Sequence, residues 1–228
     1  MTVVPEIDVD LRGLFGPVRD QGARPTCLAF AASDFHAGLR AGWDPLSCEF
    51  AFYHAQRRAG RTVAQGAVLS AMLEALRIDG QPVEAGWPYL DAAPADPTAW
   101  MPPNDVGERF ARVGVAGGGD LGGVRSNLAA GRPMVVLTML SRSFFTPVEG
   151  VVDAAPGEPP EPSQRHALVA VGAGRVLGMP AVLVRNSWGP AWGLDGHAWL
   201  TDRFLGPRLF AIAALLEEVD VSSRQAAA

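Results

Sequence analysis

Apolar residues recur at helical spacing through the first third of the chain. After Pro25 and Thr26, the residues Leu28, Ala31, Phe35 and Leu39 repeat turn by turn until Gly42 stops the run. A second helix is predicted from a Ser47 cap, with Phe50, Tyr53 and His54 following. A third runs from Gly66 through Val68, Ala71, Met72 and Ala75 to Asp79-Gly80. All three read as amphipathic. Beyond the Pro-rich stretch Asp91–Asp105 the apolar runs shorten and become strand-like. They are Phe110–Val115, Met134–Leu140, Val148–Val152, His166–Val171, Ala181–Arg185 and His197–Leu200, with one helix over Leu121–Ala130. The pattern therefore predicts an α+β chain: a mainly helical part over residues 1–105, a mainly β part over 106–221 and a small polar tail over 222–228. The proline-spaced segment Asp153–Ser163 reads as mobile surface.

Composition narrows the function. With 228 residues, 48% of them hydrophobic, there is ample material for a sizeable core. A net charge of −5 argues against a nucleic-acid surface built on a broad basic face. All 19 basic residues are Arg, which excludes chemistry through a Schiff-base or phosphate-binding lysine. Two cysteines, Cys27 and Cys48, are too few for a disulfide scaffold or a four-cysteine zinc site, so a reducing, cytoplasmic setting is the expectation. The first residues lack the basic start and apolar core of a signal peptide. The most apolar stretch, Ala167–Val184, is broken by Arg175, several glycines and Pro180, so no membrane span is expected. His36 and His54 fall on helices with no second ligand at zinc spacing, and neither metal nor cofactor is expected.

Four residues could carry chemistry. Cys27 falls in the first turn of a predicted helix, where the dipole and backbone N–H groups stabilise a thiolate; a cysteine among Leu28, Ala29 and Phe30 also suits a small buried hydrophobe. Gln21, six residues upstream, could donate to an oxyanion or simply lie at the surface. His166 opens the apolar run HALVAVG, where a purely structural strand would favour Val or Ile, yet a core histidine reads the same way. Asn186 ends VLVRN and could orient an imidazole under the shield of Trp188, or be a turn residue beside two packing tryptophans, Trp188 and Trp192. Cys48 follows Ser47 at a second helix start without such companions and reads as structural.

Taken together, these residues resemble the papain-like cysteine peptidases, whose chain order is Gln, Cys, His, Asn. DLRGLFGPVRDQG is similar to that family's mature N-terminus, the six-residue step from Gln21 to Cys27 agrees with it, and HALVAVG and NSWGPAWGLDG resemble its histidine and asparagine motifs. The separations of 139 residues from Cys27 to His166 and 20 more to Asn186 are typical of it. The resemblance implies a papain-like two-lobed fold, with an N-terminal helical lobe, a C-terminal β-barrel-like lobe and an active-site cleft between them. It implies Cys27 as nucleophile, His166 as general base and acid, Asn186 as orienter, Gln21 as oxyanion donor and Trp188 as the shield over the His166–Asn186 pair. It also implies that Gln65, Gly66, Val68, Met134 and Ala167 line substrate subsites of apolar preference. The activity implied is a bacterial-type endopeptidase working through a Cys27 acyl-enzyme on peptide or protein substrates. Acyl transfer, deamidation or a silent peptide-binding module are the alternatives.

Some positions depart from the family. Arg24 stands where secreted members carry a disulfide cysteine, Pro25-Thr26 replaces Gly-Ser, and Leu28 replaces Trp. Arg165 precedes His166 where many members have Asp, and a cation there would disfavour the imidazolium. Met1 lies nine residues before Asp10, so no inhibitory pro-segment is expected and a regulatory partner protein is a candidate for restraint.

Overall fold

The computed structural model describes residues 4–219. In chain order its elements are β1 (Glu6–Asp10), α1 (Cys27–Gly38), α2 (Cys48–Ala59), α3 (Leu69–Ile78), β2 (Ala111–Gly118), α4 (Leu121–Ala129), β3 (Met134–Leu140), α5 (Arg142–Phe145), β4 (Val151–Val152), β5 (Glu161–Val176), β6 (Met179–Arg185), β7 (His197–Thr201), α6 (Asp202–Leu205) and β8 (Leu209–Val219). They form two compact units that interleave in sequence. One comprises the chain up to Asp20 with Gly117–Ala213, the other Gln21–Ala116 with the chain from Ala214 on. The chain thus changes unit at 20/21, 116/117 and 213/214, where the sequence pattern suggested a single crossing at 105/106. The expected tail at 222–228 lies outside the described residues.

In the helical unit, α1 packs against α2 and α3. α1 is not the amphipathic helix its spacing suggested: every residue from Leu28 to Gly38 is buried, Ser33, Asp34 and His36 included. The polar residues are accommodated by partners. Gln81 accepts at its Oε1 from His36 Nδ1 (3.0 Å) and gives its amide N–H groups to Ser33 Oγ (2.5 Å) and the Ser47 carbonyl (3.0 Å). α2 starts as expected, with Ser47 Oγ accepting from Phe50 N at 3.1 Å, and ends on Gly60 at φ +61, a left-handed C-cap that glycine adopts without a Cβ penalty. α3 begins at Leu69, three residues later than predicted. Residues 62–65 are occupied by a turn in which Gln65 N donates to the Thr62 carbonyl (3.1 Å), and Gln56 Nε2 clamps the Thr62 and Gln65 carbonyls (both 2.6 Å). The Pro-rich stretch is not a linker: Trp100 is buried against Tyr53 and Phe52 and donates its indole N–H to Glu49.

In the β unit the strands run β8-β3-β5-β6-β7-β4, antiparallel except where β4 meets β7, and β1 pairs with β5 beside this row. β5 is the spine. It extends from Glu161, well before the predicted start at His166, to Val176, and pairs with β3, β6 and β1. β4 is only two residues long because Glu149 and Gly150 take positive φ, turning the chain so that Val148 and Val151 bond each other. The segment read as mobile is tied down instead. Its Glu158 carboxylate accepts from Ser143 N and Oγ and from Ala155 N, its Glu158 carbonyl from the fully buried Arg208, and residues 161–163 already belong to β5. Burial works to raise the Glu158 pKa, but these donors hold it down at about 2. Two strands were not anticipated: β1, short and acidic, and β8, whose LFAIAALLEEV carries too little alternation to read as β.

Candidate active site

The helical unit positions Cys27 and Gln21. Cys27 is the first residue of α1, and the first bond of that helix runs from Phe30 N to the Thr26 carbonyl (3.1 Å), so the positive end of the helix dipole falls at the thiol. Pro25 precedes the helix and so removes no bond from it. Thr26 spends its hydroxyl on Tyr89 Oη (2.9 Å), not on capping the helix. Cys27 is half-buried, while Cys48, also the first residue of a helix, is wholly buried; neither forms a disulfide. Gln21 is buried, and its amide nitrogen donates to the Arg24 carbonyl at 2.9 Å, which fixes the plane of the amide.

The β unit positions His166, Asn186 and Trp188. His166 lies on β5 opposite Thr138 of β3, and Asn186 directly follows β6. Asn186 Oδ1 lies 2.7 Å from His166 Nε2 and also accepts from Ser187 N at 2.8 Å. The second bond identifies the atom as the carbonyl oxygen, so Nε2 carries the imidazole proton and Nδ1 is the basic nitrogen of the neutral ring. Trp188 lies against the imidazole (centroids 4.8 Å), Phe145 stacks on Trp188 (5.6 Å) and Phe144 packs edge-on to both His166 and Trp188. Burial in this aromatic setting pushes the His166 pKa down to about 4, against the opposing pull of the Asn186 bond.

Arg165 does not act as its position in the sequence suggested. Neighbours on a strand point to opposite faces, and the Arg165 guanidinium lies over the Phe210 ring with Nε on the Pro162 carbonyl. The low His166 pKa comes from burial.

The subsite residues separate into groups. Gln65, Gly66 and Val68 share the loop leading into α3; Gln65 Oε1 accepts from Thr62 N, Gly66 offers its carbonyl to Arg61, and Val68 is exposed. Met134 and Ala167 are not brought together. β3 and β5 are in continuous register here, with Met134 opposite Ala170 and Leu137 opposite Ala167, so Met134 and Ala167 face opposite sides of the sheet. Leu137, half-buried, is the apolar neighbour of Ala167. Phe144, Phe145, Tyr89 and Glu49 were missed as site residues; the SFF run and the WPY turn were the signals available. Among the described residues no cluster of three or more His, Cys, Asp or Glu could hold a metal ion.

With this geometry in view, comparison with known proteins places the chain. Residues 108–204 match the model of the papain family cysteine proteases. Xylellain, a cysteine protease from Xylella fastidiosa, superposes with a TM-score of 0.69 at 22% identity, covering 93% of this chain and 86% of that one. The chain is papain-like in fold and in sequence. Digestive cysteine proteinase 1 of Homarus americanus is 28% identical over 205 residues, which is 84% of this chain and 60% of that protein. Pro-cathepsin H of Bos taurus is 25% identical over 215 residues, 92% of this chain and 62% of that protein. The chain thus spans about three-fifths of the length of these curated relatives.

Proposed function

We propose that this papain-like chain is a cysteine endopeptidase that hydrolyses peptide bonds through a Cys27 acyl-enzyme. The observation that carries the reading is the His166–Asn186 bond buried beneath Trp188, which puts the imidazole proton on Nε2 and leaves Nδ1 as a base that is neutral above about pH 4. The reaction requires Cys27, on the helical unit, and His166, on the β unit, to meet. The Cys27 thiol gives its proton to Nδ1, and the thiolate attacks the scissile carbonyl carbon. The oxyanion takes hydrogen bonds from the Gln21 amide and the Cys27 backbone N–H. The imidazolium returns the proton to the leaving amine, and water, deprotonated by the same nitrogen, releases the acid. A neutral ring with its Nε2 proton fixed by Asn186 suits the first step, since a protonated ring could not accept.

Ala167 and its strand neighbour Leu137 support a preference for apolar side chains before the cut. Among the described residues no helix is long and apolar enough to cross a membrane. Two cysteines without a disulfide, and Arg24 in place of a disulfide cysteine, fit a reducing compartment such as the cytoplasm.

The test is reaction with a peptidyl epoxysuccinyl probe, followed by intact mass and mapping of the labelled cysteine. Labelling at Cys27 that survives Cys48→Ser and disappears in Cys27→Ser and His166→Ala is expected. Labelling indifferent to His166, or absent from a folded protein, would overturn the assignment. Cleavage of a peptide library with products bearing new carboxyl ends is the outcome that separates hydrolysis from acyl transfer.

A further inference from the structure

We infer that Arg24, locked by Glu49, is a positioning residue for the Gln21 amide; the inference rests on the hydrolase reading above. Arg24 is 5% exposed and Glu49 not at all. The guanidinium meets the Glu49 carboxylate as a fork, Nη1 to Oε2 at 2.6 Å and Nη2 to Oε1 at 2.8 Å, and Nη1 also reaches the Leu90 carbonyl at 2.6 Å. Its Cζ lies over the rings of Tyr89 (5.0 Å) and Phe52 (5.6 Å). Glu49 is held in turn by Leu90 N (3.1 Å) and Trp100 Nε1 (2.7 Å). Two side chains with this many directional bonds have one arrangement available to them.

The rigidity is transmitted through the other end of the same residue. The Arg24 carbonyl accepts from Gln21 Nε2 (2.9 Å) and from Thr26 N (2.8 Å). Tyr89, whose ring covers the guanidinium, closes the circuit: its hydroxyl donates to the Gln21 carbonyl at 2.7 Å and takes a hydrogen from Thr26 Oγ1 at 2.9 Å. Gln21 is therefore gripped at its side-chain amide by Arg24 and at its backbone by Tyr89, and both grips trace back to one buried charge pair. An oxyanion donor works only when pre-aimed, and a misplacement on the order of 1 Å costs about 10²-fold in rate. A lysine in place of Arg24 keeps the charge but not the fork or the stacking plane, so it would loosen this aim.

The experiment is a double-mutant cycle with a fluorogenic peptide. Gln21→Ala and Arg24→Lys are each expected to lower kcat about 10²-fold with KM little changed, while the double variant falls no further than either single one. Iodoacetamide alkylation of Cys27, which builds no oxyanion, should stay near the parent rate in Arg24→Lys. Multiplicative losses, a loss confined to KM, or parental kcat in Arg24→Lys would overturn the inference. Should Arg24→Lys fail to fold, Tyr89→Phe removes only the hydroxyl grip. It is expected to lose several-fold in kcat alone and nothing in the Gln21→Ala background; a loss in that background as well would sink the idea. Parental activity in Gln21→Ala would overturn the oxyanion assignment itself and this inference with it, leaving the Cys27 and His166 roles to the probe labelling above.

Discussion

The approach to Cys27 and the surroundings of His166 are both buried, and they are built from opposite materials. Before Cys27, the chain is fixed by an Arg–Glu fork, a tyrosine hydroxyl and an amide, each partner meeting the next through a hydrogen bond of defined direction. Around His166 a single polar bond, to Asn186, is enclosed by Trp188, Phe144 and Phe145. The first arrangement sets where atoms point. The second sets how polarisable the surroundings are, and so which protonation state the imidazole holds. Removing one member of a fork strands its partner, whereas thinning an apolar shell admits water gradually.

The largest expected effect tests the first half of that contrast. Arg24→Met leaves the Glu49 carboxylate buried without its cation and should cost about 3–5 kcal/mol in urea unfolding, whereas Arg24→Met/Glu49→Leu should recover part of it by removing both charges. A parental midpoint in Arg24→Met would show that packing, not charge, holds this region.

Next is acid. His36 and His166 are both pushed by burial to about 4 from an ordinary value of 6.5, and burial lowers His197 as well. The unfolded chain takes up these protons first, so their stabilisation is full above pH 6.5 and is lost as pH falls towards 4, up to about 3 kcal/mol for each of the first two. Unfolding measured between pH 7 and 5 should show this slope, with His36→Gln and His166→Gln each flattening it. A flat profile in the parent would contradict the buried neutral rings.

Thinning the aromatic shell should have a smaller effect. Trp188→Leu is expected to raise the His166 pKa by about one unit, followed by NMR of the ring protons, because water then solvates the cation. The smallest effect is the most discriminating about strand geometry: Arg165→Gln should leave the His166 titration where it was. A clear upward shift would mean that the cation does reach the ring.

How much of this was legible depended on whether the determining interaction was local. The Ser47 cap and the span of β3 follow from neighbours in the chain, and they could be read. The start of α3 could not, because it is set by Gln56 reaching back to clamp the 62–65 turn. Arg24 was visible as a departure at a cysteine position, but its partner Glu49 sits 25 residues away on another helix, and nothing in either residue's neighbourhood announces the other. Met134 and Ala167 were paired as candidates on their apolar character alone, and which face each occupies depends on register. The one-residue parity that separates Met134 from Leu137 is fixed only by pairing. β8 stayed hidden because LFAIAALLEEV runs apolar residues together and then acidic ones, without the alternation that marks a strand in the sequence, although most of it is half-buried or exposed.

The pairing of β1 with β5 also bears on how the protein behaves in company. β1 crosses β5 so closely that a Cβ on Gly174 would come within 2.2 Å of the Glu6 carbonyl, and one on Gly172 within 2.6 Å of that of Val9. These two glycines let a short, largely exposed acidic strand cover the part of β5 that β3 does not reach. Were β1 peeled away, by an added side chain at Gly174 or by truncation past Asp10, residues 172–175 would present bare N–H and C=O groups to the solvent. Such an edge recruits strands from other molecules. β1 thus serves as a stopper against self-association, and a fusion partner or tag placed before it belongs on a linker long enough to leave β1 seated.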